Sequence, residues 1–182
     1  MFIINRGISG DISDTMLRRF PADVIQLKPK YAHILGGTNN TWKLDAVEMN
    51  QRRTSEQIYY DILRDFTMMV QLSKENGIMP IVDSCLPTGR NIPCFNFRVL
   101  TGYPNYSTGT RNELLAASNN ALKKMAVYEN AVYIDYHAYL VGADGKTLRP
   151  ELADDSLHPN VLGYNIMADV LCNSLSQYGI VI

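Results

Sequence analysis

Short apolar runs alternate with long amphipathic stretches along this chain, and that alternation constrains its fold more than any other feature. Tyr31-Ala32-His33-Ile34-Leu35, Ile78-Met79-Pro80-Ile81-Val82 and Ala131-Val132-Tyr133-Ile134 read as short strands, with Pro80 limiting the ladder hydrogen bonds of the second. Phe2-Ile3-Ile4 reads as a further strand at the start. From Thr54 to Asn76 the pattern is helical, with Ile58, Ile62, Phe66, Met69, Val70 and Leu72 largely on one face and Asn76-Gly77 as its stop. Arg111 to Glu129 repeats the pattern with Leu114, Leu115, Ala121, Leu122 and Met125 inward, and Asn160 to Tyr178 with Ile166, Met167, Val170 and Leu171. A shorter helix, capped by Asp11 or Ser13, runs through Phe20 and closes at Pro21. Strands alternating with helices predict a parallel sheet covered on both faces, with ligands at the carboxyl ends of its strands.

The bulk properties exclude several function classes. The 182 residues suit one domain, residues 1–182, and no repeat or linker divides them. With 17 basic and 18 acidic residues the chain has no field to attract nucleic acid or an anionic membrane. No apolar run approaches the roughly 20 residues of a membrane span. The start lacks the pattern of a signal peptide, so the expectation as written is a cytoplasmic protein, or a secreted one if an N-terminal segment is missing. Cys85, Cys94 and Cys172 show no metal-ligand spacing and read as reduced thiols, with a Cys85–Cys94 disulfide only in an oxidising compartment. His33 and His137 have no metal-ligand partner at usable spacing and read as structural. No metal or cofactor is called for: GxxxxGK[ST] and GxGxxG are absent, which removes the case for a phosphate site at Gly36-Gly37-Thr38.

Three loops at the expected strand ends carry chemistry. They are Asn5-Arg6-Gly7-Ile8-Ser9-Gly10-Asp11, Gly36-Gly37-Thr38-Asn39-Asn40 and Asp154-Asp155-Ser156-Leu157-His158-Pro159-Asn160. His158 is suited to act as a base near neutral pH. A carboxylate on the same short turn can accept its second ring N–H, and Asp154 and Asp155 both qualify. Taken singly, the glycines satisfy turn chemistry and Asn39 an Asx turn.

In this order the three loops resemble the second, third and fifth sequence blocks of the SGNH/GDSL hydrolases. Pro80-Ile81-Val82 with Leu86-Pro87-Thr88-Gly89-Arg90, and Tyr133-Ile134-Asp135-Tyr136, resemble the acylhydrolase branch of the same family. The resemblance runs from Ile3 onward. It implies a three-layer α/β/α sandwich with a mainly parallel, flavodoxin-like sheet, here without the family's first strand and helix. It further implies a carboxylic-ester hydrolase acting by a Ser-His-Asp mechanism on small acyl esters, such as an O-acetylated carbohydrate or a lipid. The family's Asp-x-x-His spacing assigns Asp155 and His158 to catalysis, and the loop positions assign Gly10 and Asn39 to the oxyanion hole. The resemblance also suggests that Gly10 is glycine because a side chain would crowd the substrate. Asn40 stands where the family commonly has Asp, which removes a loop-ordering charge.

The family's nucleophile lies in a Gly-Asp-Ser block after the first strand, and no such triplet occurs here. Ser13 is displaced from Gly10-Asp11 by Ile12, and Ser9 precedes the oxyanion glycine, so neither is assigned as nucleophile. The expectation is a chain of little esterase activity, whose full-length form is the enzyme. The alternative is a non-catalytic module that binds an acylated carbohydrate or lipid. For the missing strand position three alternatives stay open: the sheet closes differently, a partner chain such as a second copy in a homo-oligomer fills it, or the sequence is truncated. The Tyr-rich segment Phe95 to Tyr106 is expected to shape a pocket or cover the sheet.

Overall fold

The structure, a computed structural model, describes residues 2–46, 49–89 and 108–180. Its sheet is built from β1 (Tyr31–Ile34), β2 (Met79–Asp83) and β3 (Val132–Ile134), all parallel, in the order β1-β2-β3. The helices are α1 (Ser13–Asp23), α2 (Ser55–Glu75), α3 (Thr108–Tyr128), the short α4 (Tyr136–Leu140) and α5 (Val161–Gln177). One face of the sheet packs on α1, α2 and α3 through a cluster that includes Phe20, Ile58, Ile62, Phe66, Val82 and Leu122. The other face packs on α4 and α5 through Ile81, Val132, Ile134, Leu140, Met167 and Val170. Helices thus cover both faces, giving the three layers that the strand–helix alternation requires.

Local chemistry explains the element ends. Thr54 caps α2 by accepting from Gln57 N–H while the Gln57 side chain accepts from Thr54 N–H, a reciprocal capping box. At its other end Gly77 takes φ +70°, and Ile78 N–H reaches back to the Ser73 carbonyl at 2.9 Å. Ile58, Ile62, Phe66, Met69 and Val70 are completely buried, each contributing roughly 1.5–3 kcal/mol of transfer free energy. The proline in β2 interrupts no bond of the sheet. Met79 donates to Lys30 on the β1 side and Ser84 to Ile134 on the β3 side, so Pro80 presents its nitrogen toward β3, ahead of the first β2–β3 pair at Ile81–Val132.

Several expectations need correction. Phe2-Ile3-Ile4 forms no strand: no neighbour pairs with it among the described residues, and its side chains are 100%, 83% and 65% exposed. A strand needs a ladder for its N–H and C=O groups, and apolar composition cannot supply one. Helix α1 does not stop at Pro21 but runs on to Asp23, because a proline in the last turn forfeits only the bond to Leu17. Its N-cap position is Ile12, with Thr15 bonding Ile12 N–H, rather than Asp11 or Ser13. Helix α3 begins at Thr108, three residues before the expected Arg111. Cys85 is a free thiol, buried in the core and pushed up to about 12 by that burial, so it is neither disulfide-bonded nor nucleophilic. Cys94 and the Tyr-rich segment lie outside the described residues. No described helix is long and apolar enough to cross a membrane.

His33, read as structural, has a partner that the sequence did not show. Register sets it opposite Ile81, so Asp83, two residues on, shares its face, and His33 Nε2 lies 2.6 Å from Asp83 Oδ2. The Asp83 side chain is wholly buried, which pushes its carboxyl up to about 6 against the pull of His33. For His33, burial works to lower the pKa, but the bond to Asp83 and its charge prevail and raise it above the ordinary 6.5. Both groups therefore hold protons in the folded protein that the unfolded chain releases. Stability from Asp83 falls as pH rises from about 4 to about 6, and that from His33 is lost as pH rises through its raised pKa. The unfolding free energy of the wild type relative to Asp83→Asn is expected to be largest at about pH 4 and to shrink toward pH 7. Urea titrations across that range check this; a gap independent of pH would contradict the assignment.

Candidate active site

Of the residues singled out by sequence, Asn39 lies in the loop that leaves the carboxyl end of β1, Gly10 in the turn ahead of α1, and Asp155 and His158 in the turn ahead of α5. Asp155 and His158 share one tight turn ahead of α5. His158 Nδ1 lies 2.6 Å from Asp155 Oδ2, while Asp155 Oδ1 accepts the backbone N–H groups of Leu157 (2.9 Å) and His158 (2.7 Å). Ser156, in the left-handed region at φ +63°, makes the reversal that folds those two N–H groups back onto the carboxylate. The hydrogen bond from His158, then the backbone bonds, hold the Asp155 carboxyl down at about 2. A carboxylate at Nδ1 places a neutral ring's proton there and leaves the Nε2 lone pair directed away, the arrangement of a base. Asp154 bonds Asn160 Nδ2 at 2.9 Å instead, so the carboxylate facing the imidazole is that of Asp155. Both side chains of the pair are open to solvent, His158 at 70%.

Gly10 and Asn39 are joined across the same edge. Ile8 to Asp11 form a turn closed by Asp11 N–H on the Ile8 carbonyl at 3.2 Å, with Gly10 at φ +82° in the third position. That position requires a positive φ, which is why glycine stands there. A Cβ on Gly10 would meet no protein atom within 4 Å, so within the protein it is conformation rather than space that demands glycine. Asn39 Nδ2 donates to the Asp11 carbonyl at 3.0 Å and ties the two loops together. Gly37, at φ +93°, packs directly against Cys85, where any side chain would collide. The connection continues from Thr38 Oγ1 to the Leu86 carbonyl (2.8 Å) and from Gly89 N–H to the Ser156 carbonyl (2.7 Å). A line of contacts thus runs from Gly10 through Asn39 to the turn of His158.

Two polar networks hold these loops, and the sequence signalled neither. Arg19 on α1 donates to Asp11 (2.8 Å), to the Arg6 carbonyl (2.6 Å) and to Asp23 (2.5 Å), while Arg6 also pairs with Asp23. Beneath them Asn40, fully buried, accepts from Ser13 N–H at 2.9 Å and donates to Ser13 Oγ at 2.7 Å. Ser13 Oγ donates to Asp65 at 2.6 Å, and Asp65 pairs with Arg64. The charge absent at position 40 is therefore supplied from α2, and the neutral amide still orders the loop. Ser13 itself is fully buried, with its hydroxyl donated to Asp65. His137 is also buried, which lowers its pKa, and its backbone N–H donates to Ser84 Oγ at 2.8 Å. No group of three or more His, Cys, Asp or Glu suited to a metal occurs among the described residues.

The sequence profile of the GDSL-like lipase/acylhydrolase family matches residues 1–166. The uncharacterized lipoprotein YqeF of Bacillus subtilis (strain 168) is 35% identical over 85 residues, which cover 47% of this chain and 32% of that protein. The chain thus spans about a third of that relative's length. An acetylxylan esterase of Geobacillus stearothermophilus is 25% identical over 172 residues, covering 91% of this chain and 68% of the esterase. Solved structures of that esterase include a catalytic mutant at a serine and another at an aspartate. The crystal structure of a GDSL-like lipase from Bacteroides thetaiotaomicron VPI-5482 superposes with a TM-score of 0.73 at 25% identity, covering 96% of this chain and 76% of the lipase.

The Asn40 network predicts the effect of restoring a carboxylate. In Asn40→Asp, two buried carboxylates would face the single proton of Ser13 Oγ. The variant is expected to lose about 1–3 kcal/mol of unfolding free energy near neutral pH. Urea denaturation measures it; a variant as stable as the wild type would contradict the role given to Asp65.

Proposed function

This chain belongs to the GDSL-like lipase/acylhydrolase family, and we propose that it is one carboxylic-ester hydrolase unit whose site is built from His158, Asp155, Gly10 and Asn39. The observation that carries this reading is the Asp155–His158 pair on the turn ahead of α5, joined through neighbouring loops to Asn39 and the Gly10 turn. His158 Nε2 is the general base; Asp155 fixes the tautomer and stabilises the imidazolium that forms. Gly10 N–H and the free N–H of Asn39 Nδ2 donate to the oxyanion of the tetrahedral intermediate. Each such donor is worth on the order of 10²–10³ in turnover in serine hydrolases. The substrates are small acyl esters, and the likeness to an acetylxylan esterase favours acetyl groups on a carbohydrate.

The 182 residues contain no Gly-Asp-Ser triplet, and we read His158 as having no serine to activate within them. What remains is a base that activates water beside two oxyanion donors. Loss of the nucleophile costs on the order of 10⁶ in turnover and leaves roughly 10³–10⁴ over the uncatalysed rate. A chain that carried a Gly-Asp-Ser block ahead of these residues would recover the full Ser-His-Asp mechanism.

Hydrolysis of p-nitrophenyl acetate by residues 1–182 tests the proposal. The expected result is slow turnover above background that His158→Ala abolishes and Asp155→Asn lowers by about 10-fold or more. Turnover as fast as a serine esterase, lost in His158→Ala, would contradict the absence of a nucleophile. Turnover indifferent to His158 would contradict the site and favour a binding module.

A further inference from the structure

The amide of Asn39 is held at both ends, and one of those holds comes from a residue that the ester-hydrolase reading does not use. While Asn39 Nδ2 donates to the Asp11 carbonyl at 3.0 Å, Asn39 Oδ1 accepts from Trp42 Nε1 at 3.3 Å. An indole N–H is only a donor, so it can meet only the oxygen of the amide and forbids the flipped orientation. With one Nδ2 hydrogen on Asp11, the other is left with a fixed direction. Asp11 follows Gly10, so the bond that tethers the Asn39 amide also sets its spacing from the Gly10 N–H.

Trp42 is itself seated on a charged group. The Arg111 guanidinium carbon lies 4.7 Å from the centre of its ring, and Arg111 is 3% exposed. Arg111 also donates to the Thr41 carbonyl at 2.6 Å and to Thr41 Oγ1 at 3.3 Å, and Thr41 Oγ1 donates to the Thr38 carbonyl at 2.8 Å. The guanidinium thus braces the indole face and the backbone of the turn that carries Asn39. Its location is otherwise unfavourable: Arg111 stands near the N-terminus of α3, where the helix dipole repels a cation. Burial pushes its pKa down only to about 10, so the charge persists at neutral pH. A cation kept against both costs beneath an aromatic ring strengthens that contact, because a desolvated cation–π pair is worth more than an exposed one.

We propose that Trp42, seated on Arg111, is a positioning residue that fixes the orientation of the Asn39 amide so that its second N–H serves the oxyanion. The inference rests on the ester-hydrolase reading for the role of Asn39, but the orientation of the amide is measurable by itself. The decisive variant is Trp42→Phe, which keeps an aromatic ring facing Arg111 and removes the N–H donor along with part of the indole's area; a Trp that acted by packing alone would lose stability there without releasing the Asn39 amide.

In the ¹⁵N-labelled 182-residue chain, the two Asn39 Nδ2 protons are expected to give one sharp pair of signals that moves on titration with methylphosphonate, a tetrahedral anion. In Trp42→Phe the pair is expected to broaden or double and its response to the anion to fall about fivefold or more, in a chain that still unfolds cooperatively at a somewhat lower thermal midpoint. Arg111→Met is expected to broaden the same signals without touching either atom of the Trp42–Asn39 bond. An Asn39 pair as sharp and as responsive in Trp42→Phe as in the wild type would overturn the proposal. A wild-type pair that ignores the anion would instead sink the oxyanion role of Asn39, while the line shape in Trp42→Phe still decides the positioning role of Trp42.

Discussion

Parallel pairing of β1 with β2, and of β2 with β3, delivers the carboxyl ends of the strands to one edge of the sheet, and the candidate site hangs on that delivery. The loop after β1 carries Asn39, the loop after β2 carries Leu86 and Gly89, and those two residues meet Thr38 and Ser156. Had any strand run the other way, its loop would have emerged at the far edge. Burial of the sheet between α1, α2 and α3 on one face and α4 and α5 on the other fixes the layers. The loops need no core of their own. They are held to this frame and to each other by hydrogen bonds, most of them from side chain to backbone.

That division of labour explains where polar groups have been buried. Asn40, Ser13 and Asp65 lie at zero exposure, and Arg111 close to it, all beneath or beside the turn that carries Asn39. Burying such groups costs free energy unless each finds a partner, and here Asn40, Ser13 and Asp65 are linked in one chain that ends on Arg64. The return is a loop of defined shape at an open edge. By contrast Asp155 and His158 are solvent-exposed, and their geometry comes from the local turn, two backbone N–H groups and one left-handed residue. The two halves of the site are thus stabilised differently, one by the core and one by its own short segment.

Much of this was legible in the sequence because it is encoded locally. Helices α2 and α5 fall within one residue of the apolar periodicity, since Thr54 and Asn160 are caps whose chemistry acts over three residues. The Asp155–His158 pairing is equally local, at i and i+3. What escaped depends on distance along the chain. The His33–Asp83 pair is set by strand register across 50 residues, and the Arg111 contact to Thr41 spans 70. An aspartate closing an apolar strand at Asp83 was the one available signal of the former. The failure at Phe2-Ile3-Ile4 has the same origin: three apolar residues state a preference for burial, not which strand will pair with them. The neutral Asn40 looked like a lost charge because Asp65, 25 positions away, cannot be assigned to it from sequence.

The chemical account depends on one proton. If Asp155 holds it on Nδ1 of His158, Nε2 is free to act as the base we propose; if not, the turn is only a helix entry. Histidine-selective ¹⁵N NMR of the intact chain in the neutral form of His158 reads this directly. The account predicts the Nδ1–H tautomer, with its proton shifted strongly downfield, and loss of both features in Asp155→Ala. An Nε2–H tautomer in the wild type, unaffected by that substitution, would contradict it.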